Sequence, residues 1–198
     1  MPLEATSTKD RIVQAALATL KEEGFAGTSA RAIARRGNFN QALIFYHFGT
    51  LADLLLAVLD YTSEVRFERY SNAMKGITSV EAAVTIATDL YREDLAAGHI
   101  TVISEMIAGS LERPDLAPEI VKRMEPWIDL TTDAVKSMLA SIGAEGIAPS
   151  RTIAHAIVAL YLGINLMSHL EHDDEKAEDL FEAAKRLASL LGMLGAAR

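Results

Sequence analysis

Apolar residues recur three and four positions apart along nearly the whole chain, and no stretch sustains the two-residue alternation of a half-buried strand. The pattern predicts an all-α protein. Ser7 followed by Asp10 has the spacing of a capping box, so a first helix is expected from about residue 8, with Ile12, Ala16 and Leu20 as its stripe. Gly24 sits where a left-handed residue would end that helix. Thr28 or Ser29 is placed to cap a short second helix over 30–36, and Asn40 to cap a third over 41–48. Between them, Gly37 and Asn38 tolerate the positive φ of a tight turn. Thr50 is placed to cap a long helix over 51–75. Further helices are expected over 80–97, 100–111, 116–142, 150–171 and 175–194. Pro118 and Pro126 make the 116–142 segment either one kinked helix or two pieces.

The last two helices differ in kind from the rest. Residues 153–167 are apolar nearly all round, broken by His155 and Asn165, and a helix without a polar face must be covered on more than one side. At that length it falls short of the roughly 20 residues of a membrane span, so protein is expected to cover it. The final helix carries Leu180, Ala184, Leu187, Leu191 and Leu194, the stripe of a helix that packs on another at a shallow angle. Together the two are expected to form half of a four-helix interface with a second copy.

Composition narrows the class. The absence of Cys excludes a disulfide framework, a thiolate zinc site and a cysteine nucleophile. The first residues lack the basic and apolar regions of a signal peptide, so a cytoplasmic protein without a membrane segment is expected. Charge is uneven: residues 1–50 hold six basic and four acidic side chains, whereas the remainder holds thirteen and twenty-three. A mildly basic segment on an acidic body suggests two jobs, and a nucleic-acid surface confined to residues 1–50 would be hidden in the overall charge of −8.

Residues 28–50, TSARAIARRGNFNQALIFYHFGT, carry the most information. Ile33, Ala34, Phe39, Leu43, Ile44 and Phe48 suffice to pack a three-helix unit, which leaves Gln41, Ala42, Phe45 and Tyr46 facing outward. An exposed Phe-Tyr pair is costly unless something covers it. In a helix-turn-helix, here spanning about residues 29–48, the second helix enters the major groove, where short side chains allow close approach and Gln pairs with base edges. Tyr and His donate to phosphates.

The segment resembles the DNA-binding domain of TetR-family transcriptional regulators. The residues that carry the resemblance are Ile12, Ala15, Ala16, Gly24, Phe25, Thr28, Ser29, Ile33, Ala34 and the run Phe45-Tyr46-His47-Phe48-Gly49. It implies base contacts near Asn40, Gln41 and Ala42, and phosphate contacts from Thr28, Tyr46 and His47. Arg31 is a further phosphate candidate from its place on the second helix, and Phe45 joins the outward face. Departures from the family pattern fall at three places: Gly37-Asn38 replaces Ala-Gly, Phe39 replaces Val, and Leu51 replaces the Lys that begins the fourth helix. Losing that cation should weaken DNA binding.

The resemblance divides the chain into a DNA-binding domain over 1–50 and a helical effector-binding and dimerisation domain over 51–198. It implies a homodimeric regulator, a repressor released from a near-palindromic double-stranded operator by a small-molecule effector. Polar and aromatic residues inside apolar helices are the effector candidates: Asp89, Tyr91, Glu105, Met106, Trp127, Tyr161 and Asn165. His169 and His172, near Glu171, Asp173 and Asp174, have a spacing compatible with metal, but a solvated acidic helix end explains them, and neither a metal nor a cofactor is assigned. No phosphate loop, nucleophile elbow or HExxH motif appears, so no enzyme is expected. The alternative is a helical dimeric small-molecule-binding protein or enzyme whose N-terminal helices serve protein contact.

Overall fold

The computed structural model describes residues 7–75, 77, 79–171 and 175–196. Among these, the elements are helices α1 (Thr8–Gly27), α2 (Ala30–Gly37), α3 (Ala42–Phe48), α4 (Leu51–Met74), α5 (Val80–Ala97), α6 (His99–Glu112), α7 (Ala117–Ser141), α8 (Ser150–Glu171) and α9 (Glu175–Ala196), with a 3-10 turn over Pro114–Leu116. The all-helical expectation holds.

Local chemistry explains the boundaries. Ser7 accepts from the Asp10 N–H while Asp10 accepts from that of Ser7, the reciprocal capping box read from the sequence. Gly24 has φ 68°, the non-helical point predicted for the end of the stripe, although one more helical turn follows it to Gly27. Ser29 rather than Thr28 caps α2, accepting from Ala32 N–H at 3.2 Å. Asn38 takes the left-handed conformation (φ 50°, ψ 53°) that ends α2. Thr50 accepts from Asp53 N–H at 3.1 Å and starts α4. The Pro126 question resolves as one continuous helix, α7.

The chain separates into two compact units: Met1–Arg66 with Thr101–Arg123, and Phe67–Ile100 with Met124–Arg198. The division cuts across the sequence boundary at residue 50, because the segment over 101–123 returns to the first unit. There Phe25 packs so closely on Gly109 that a Cβ would collide with its ring. Phe25 N–H also donates to Glu105 Oε2 at 2.7 Å, and Arg123 pairs with Asp60 at 2.7 Å. The core of the first unit comprises the fully buried Ile12, Ala16, Leu20, Ile33, Ile44, Leu54, Val58, Val102 and Met106. In the second unit α9 packs along α5 and on α8, and Leu90, Tyr91, Ile128, Val135, Ala154 and Ile164 are buried.

The expectation that the apolar C-terminal helix is too short to cross a bilayer needs correction. Ser150–Ser168 is 19 residues of mean hydropathy 1.2, long and apolar enough by length and composition, and only 17% of it is buried within the chain. Counting from the helix start at Ser150 rather than from the first apolar residue supplies the extra length. His172, Asp173 and Asp174 lie outside the described residues, as does the environment of His169. Among the described residues no group of three metal-binding side chains assembles.

Candidate nucleic-acid interface and effector site

The recognition geometry is built by a short helix on a rigid support. Ile44 of α3 is fully buried, and Leu43, His47 and Phe48 are half-buried. That anchoring turns the opposite face of α3 outward. Gln41, Ala42 and Phe45 are exposed there, and Tyr46 is 82% exposed. Asn40 is exposed as well, and its Oδ1 accepts from the Ala42 N–H at 2.9 Å, which orders the entry to the helix. The rings of Tyr46 and His47 meet edge-on at 5.0 Å. Beside the α2–α3 turn lies an open cleft of about 610 Å³ lined by Arg31, Arg35, Asn38, Asn40 and Gln41, together with Ala34 and Phe39.

The charges on this surface are not equivalent. Arg36 forms a two-pronged pair with Glu22, at 2.7 and 2.6 Å, and also reaches Glu23. The guanidinium holds the Glu22 carboxyl below its ordinary range. Arg35 faces Glu23 at 3.5 Å. Arg31 is exposed and has no carboxylate within ion-pair distance among the described residues. Lys9 sits 5.4 Å from the centre of the Phe48 ring, adding a cation beside the end of α3.

Thr28 is placed differently from its neighbours on the candidate list. It is buried, and its hydroxyl donates to the Gly24 carbonyl at 2.6 Å, so within this chain it closes the end of α1. The neighbouring Ser29 is exposed.

The seven effector candidates fall into different places. Asp89 is exposed and faces Arg92 at 3.7 Å, on the surface of α5. Glu105 and Met106 belong to the first unit, Glu105 as the acceptor for Phe25 N–H and Met106 as fully buried core. Tyr91, Trp127, Tyr161 and Asn165 belong to the second unit. Three of these join an aromatic cluster to which Phe67, Tyr70 and Phe181 also contribute; Tyr70 and Tyr91 are buried and the other four half-buried. The Tyr91 and Tyr161 rings meet at 5.6 Å, Tyr91 and Phe181 at 5.1 Å, Tyr70 and Trp127 at 5.1 Å, and Phe67 and Trp127 at 5.3 Å.

The polar centre of the cluster is Asp94, which the sequence reading missed. It is 0% exposed. Its Oδ2 accepts from the Tyr161 hydroxyl at 2.7 Å and from the Tyr70 hydroxyl. The two hydroxyls lie 3.2 Å apart, and Tyr70 also reaches the Leu90 carbonyl at 3.3 Å. Burial first, then the neighbouring Tyr70 and Asp94, push the Tyr161 phenol above its ordinary range, so it remains a donor. The Tyr91 hydroxyl is buried with no hydrogen-bond partner among the described residues, an arrangement that costs about 1–3 kcal/mol. A signal for Asp94 existed in the sequence: it lies three residues beyond Tyr91 and so on the same helical face, whereas Asp89 lies on the other.

Comparison with known proteins agrees with this geometry. A family model described as "Bacterial regulatory proteins, tetR family" matches residues 12–58, which contain α2, α3 and the start of α4. Over 197 residues the chain is 26% identical to the HTH-type transcriptional regulator UidR of Escherichia coli, covering 98% of this chain and 95% of that protein. Over 61 residues it is 44% identical to the HTH-type transcriptional repressor Rv3405c of Mycobacterium tuberculosis, covering 31% of this chain and 32% of that protein. The fold superposes on the fatty acid degradation regulator FadR from Bacillus halodurans with a TM-score of 0.74 at 19% identity, covering 94% of this chain and 96% of that one. These relatives are regulators rather than enzymes. The exposed recognition helix, the match over its sequence and the whole-chain likeness lead to one assignment: residues 12–58 are a TetR-family DNA-binding domain, in a chain that shares the fold of TetR-type regulators.

Proposed function

We propose that this DNA-binding regulator is a homodimeric repressor that a small-molecule effector releases from a near-palindromic operator. The observation that supports it most is the outward face of α3, where Gln41, Ala42, Phe45 and Tyr46 are exposed over the fully buried Ile44. Gln41 and Ala42 approach base edges, with Asn40 at the start of the helix. Tyr46, His47 and Arg31 hold phosphates, and Thr28 supports the backbone from beneath. Such a protein acts in the cytoplasm, beside the chromosome.

The dimer brings two recognition helices to successive major grooves about one helical turn apart. Its proposed seam consists of the exposed Ile157, Leu160, Leu166, Met167 and Leu170 on α8 with Leu180, Leu187 and Leu190 on α9. Gly163 has open space where its side chain would be, so a second copy can approach α8 closely there. An effector bound in the second unit favours release only through higher affinity for the non-binding arrangement of the heads.

The test is selection of bound sequences from random duplex DNA; a two-fold symmetric motif is the expected result, and recovery of no motif would refute the reading. Tyr46→Ala should weaken binding to every sequence alike, by about ten-fold, the worth of one charge-assisted hydrogen bond. Gln41→Ala should instead relax preference at a single base pair in each half-site, worth about 1–3 kcal/mol. Leu51 is half-buried at the first position of α4, where the family pattern has Lys. Leu51→Lys is expected to tighten binding and to steepen the dependence of log affinity on log salt by about one unit per head, measured by fluorescence anisotropy across a salt series.

A further inference from the structure

We propose that Asp94 is the anchor for the ammonium group of an amine-bearing aromatic effector, with Tyr70 as the trigger that this ligand releases. The inference rests on the effector-controlled reading above and specifies its ligand chemistry.

Six aromatic side chains from five helices form the cluster that holds this carboxylate, linked ring to ring, with Tyr70 and Tyr161 donating to it directly: Phe67 and Tyr70 of α4, Tyr91 of α5, Trp127 of α7, Tyr161 of α8 and Phe181 of α9. A carboxylate presents the acceptor that an ammonium N–H seeks, and aromatic faces within about 6 Å add cation–π attraction that strengthens on desolvation. A neutral hydroxyl can donate to the carboxylate but gains neither the ion pair nor the cation–π attraction, and an anion is repelled. The phenols of Tyr70 and Tyr161 both donate to the same oxygen, Asp94 Oδ2, so an incoming ammonium competes with them for it. The buried, unpartnered hydroxyl of Tyr91, whose ring touches that of Tyr161, is a second group a ligand would satisfy.

The competition has a consequence for regulation. Tyr70 belongs to α4, the helix separated from the recognition helix by only Gly49 and Thr50. The Asp94 hydrogen bond is one of several ties between the C-terminal half of that helix and α5, beside the Tyr70 contact with the Leu90 carbonyl and the Arg69–Glu93 ion pair, and a ligand that takes Asp94 loosens that set. Effector recognition and loosening of the α4–α5 contact then begin at one carboxylate.

The test compares three probes of similar shape, phenethylammonium, 2-phenylethanol and 3-phenylpropanoate, by isothermal titration calorimetry on the full chain. The expected result is binding of phenethylammonium at least about ten-fold tighter than either of the others. Asp94→Asn keeps an acceptor for the two phenols while removing the charge. It should retain the thermal midpoint and lose the preference for the ammonium. Tyr161→Phe removes one competing donor and should tighten phenethylammonium binding, an effect a purely structural hydroxyl would not give. Equal binding of the three probes, or no saturable ammonium binding up to about 10 mM, overturns the proposal. Selection from random duplex DNA, run on wild type and Asp94→Asn, separates the two failures. A symmetric motif from both proteins without charge preference refutes the anchor and leaves the regulator standing; no motif from either refutes both.

Discussion

Leu160→Glu combined with Leu187→Glu should convert the protein to a monomer and weaken its binding to a symmetric operator by at least about 100-fold. Both leucines are 62% exposed in the single chain, one on α8 and one on α9. They belong to a surface where Ser150–Ser168 is only 17% buried despite its high apolar content. A surface of that kind exposed to water is unfavourable, and in the proposed dimer a second copy covers it. A two-fold interface contains every residue twice, so each substitution is felt twice. Burying one Leu is worth about 1.5–3 kcal/mol, so losing the Leu160 pair alone removes about 3–6 kcal/mol, or 10²–10⁴ in the dimer dissociation constant. Desolvating the introduced carboxylates adds to that. Separated heads then bind half-sites independently and lose the effective concentration that links them. Sedimentation velocity reads the first effect and fluorescence anisotropy the second, while circular dichroism should show unchanged helicity. Ile147→Glu is the control, because Ile147 is 78% exposed but lies in the loop before α8 and should leave the dimer intact. A doubly substituted protein that stays dimeric would refute the assigned seam.

What the sequence made legible follows from how local each signal is. The caps at Ser7, Ser29 and Thr50 and the left-handed turn at Asn38 depend on neighbours within four residues, and the chain alone reveals them. The outward face of α3 was legible for the same reason: once Ile44 points inward, helical phase fixes where Gln41 and Tyr46 point. The aromatic cluster was not local. Choosing polar residues inside apolar helices selected Asp89, which phase puts on the surface, and passed over Asp94, which phase puts beside Tyr91. Glu105 looked like a pocket residue because a carboxylate in an apolar helix invites a ligand. Its partner proved to be the Phe25 N–H, 80 residues earlier, a contact only the tertiary fold can create. The return of residues 101–123 to the first unit was hidden likewise, because it depends on Gly109 admitting the Phe25 ring.

Gly37 and Phe39, two of the departures from the family pattern, turn out to be a matched pair, and Gly37→Ala should therefore destabilise the first unit by about 1–3 kcal/mol. A methyl group at Gly37 would lie 2.6 Å from Phe39 Cδ1 and 2.9 Å from the Ala15 Cβ, inside van der Waals contact with both. The ring of Phe39 occupies the space that an alanine in α2 would otherwise fill, which explains how the larger residue fits beside the turn. Neither neighbour yields easily. Ala15 is buried in α1, and Phe39 follows Asn38, whose left-handed conformation fixes where the next residue starts. Phe39→Val alone should leave a gap costing about 1–3 kcal/mol, less than a fully buried Phe would because the ring is half-buried. The double variant restores the family's pairing of a small branched residue with an alanine and should recover most of both losses. Urea unfolding of the four proteins gives the coupling energy directly, expected at about 1–3 kcal/mol in favour of the double variant. Operator affinity should follow the same order, since the α2–α3 turn sets how the recognition helix is presented. Additive losses in the double variant would mean that the ring and the missing methyl do not share one space, and the account of these departures would fail.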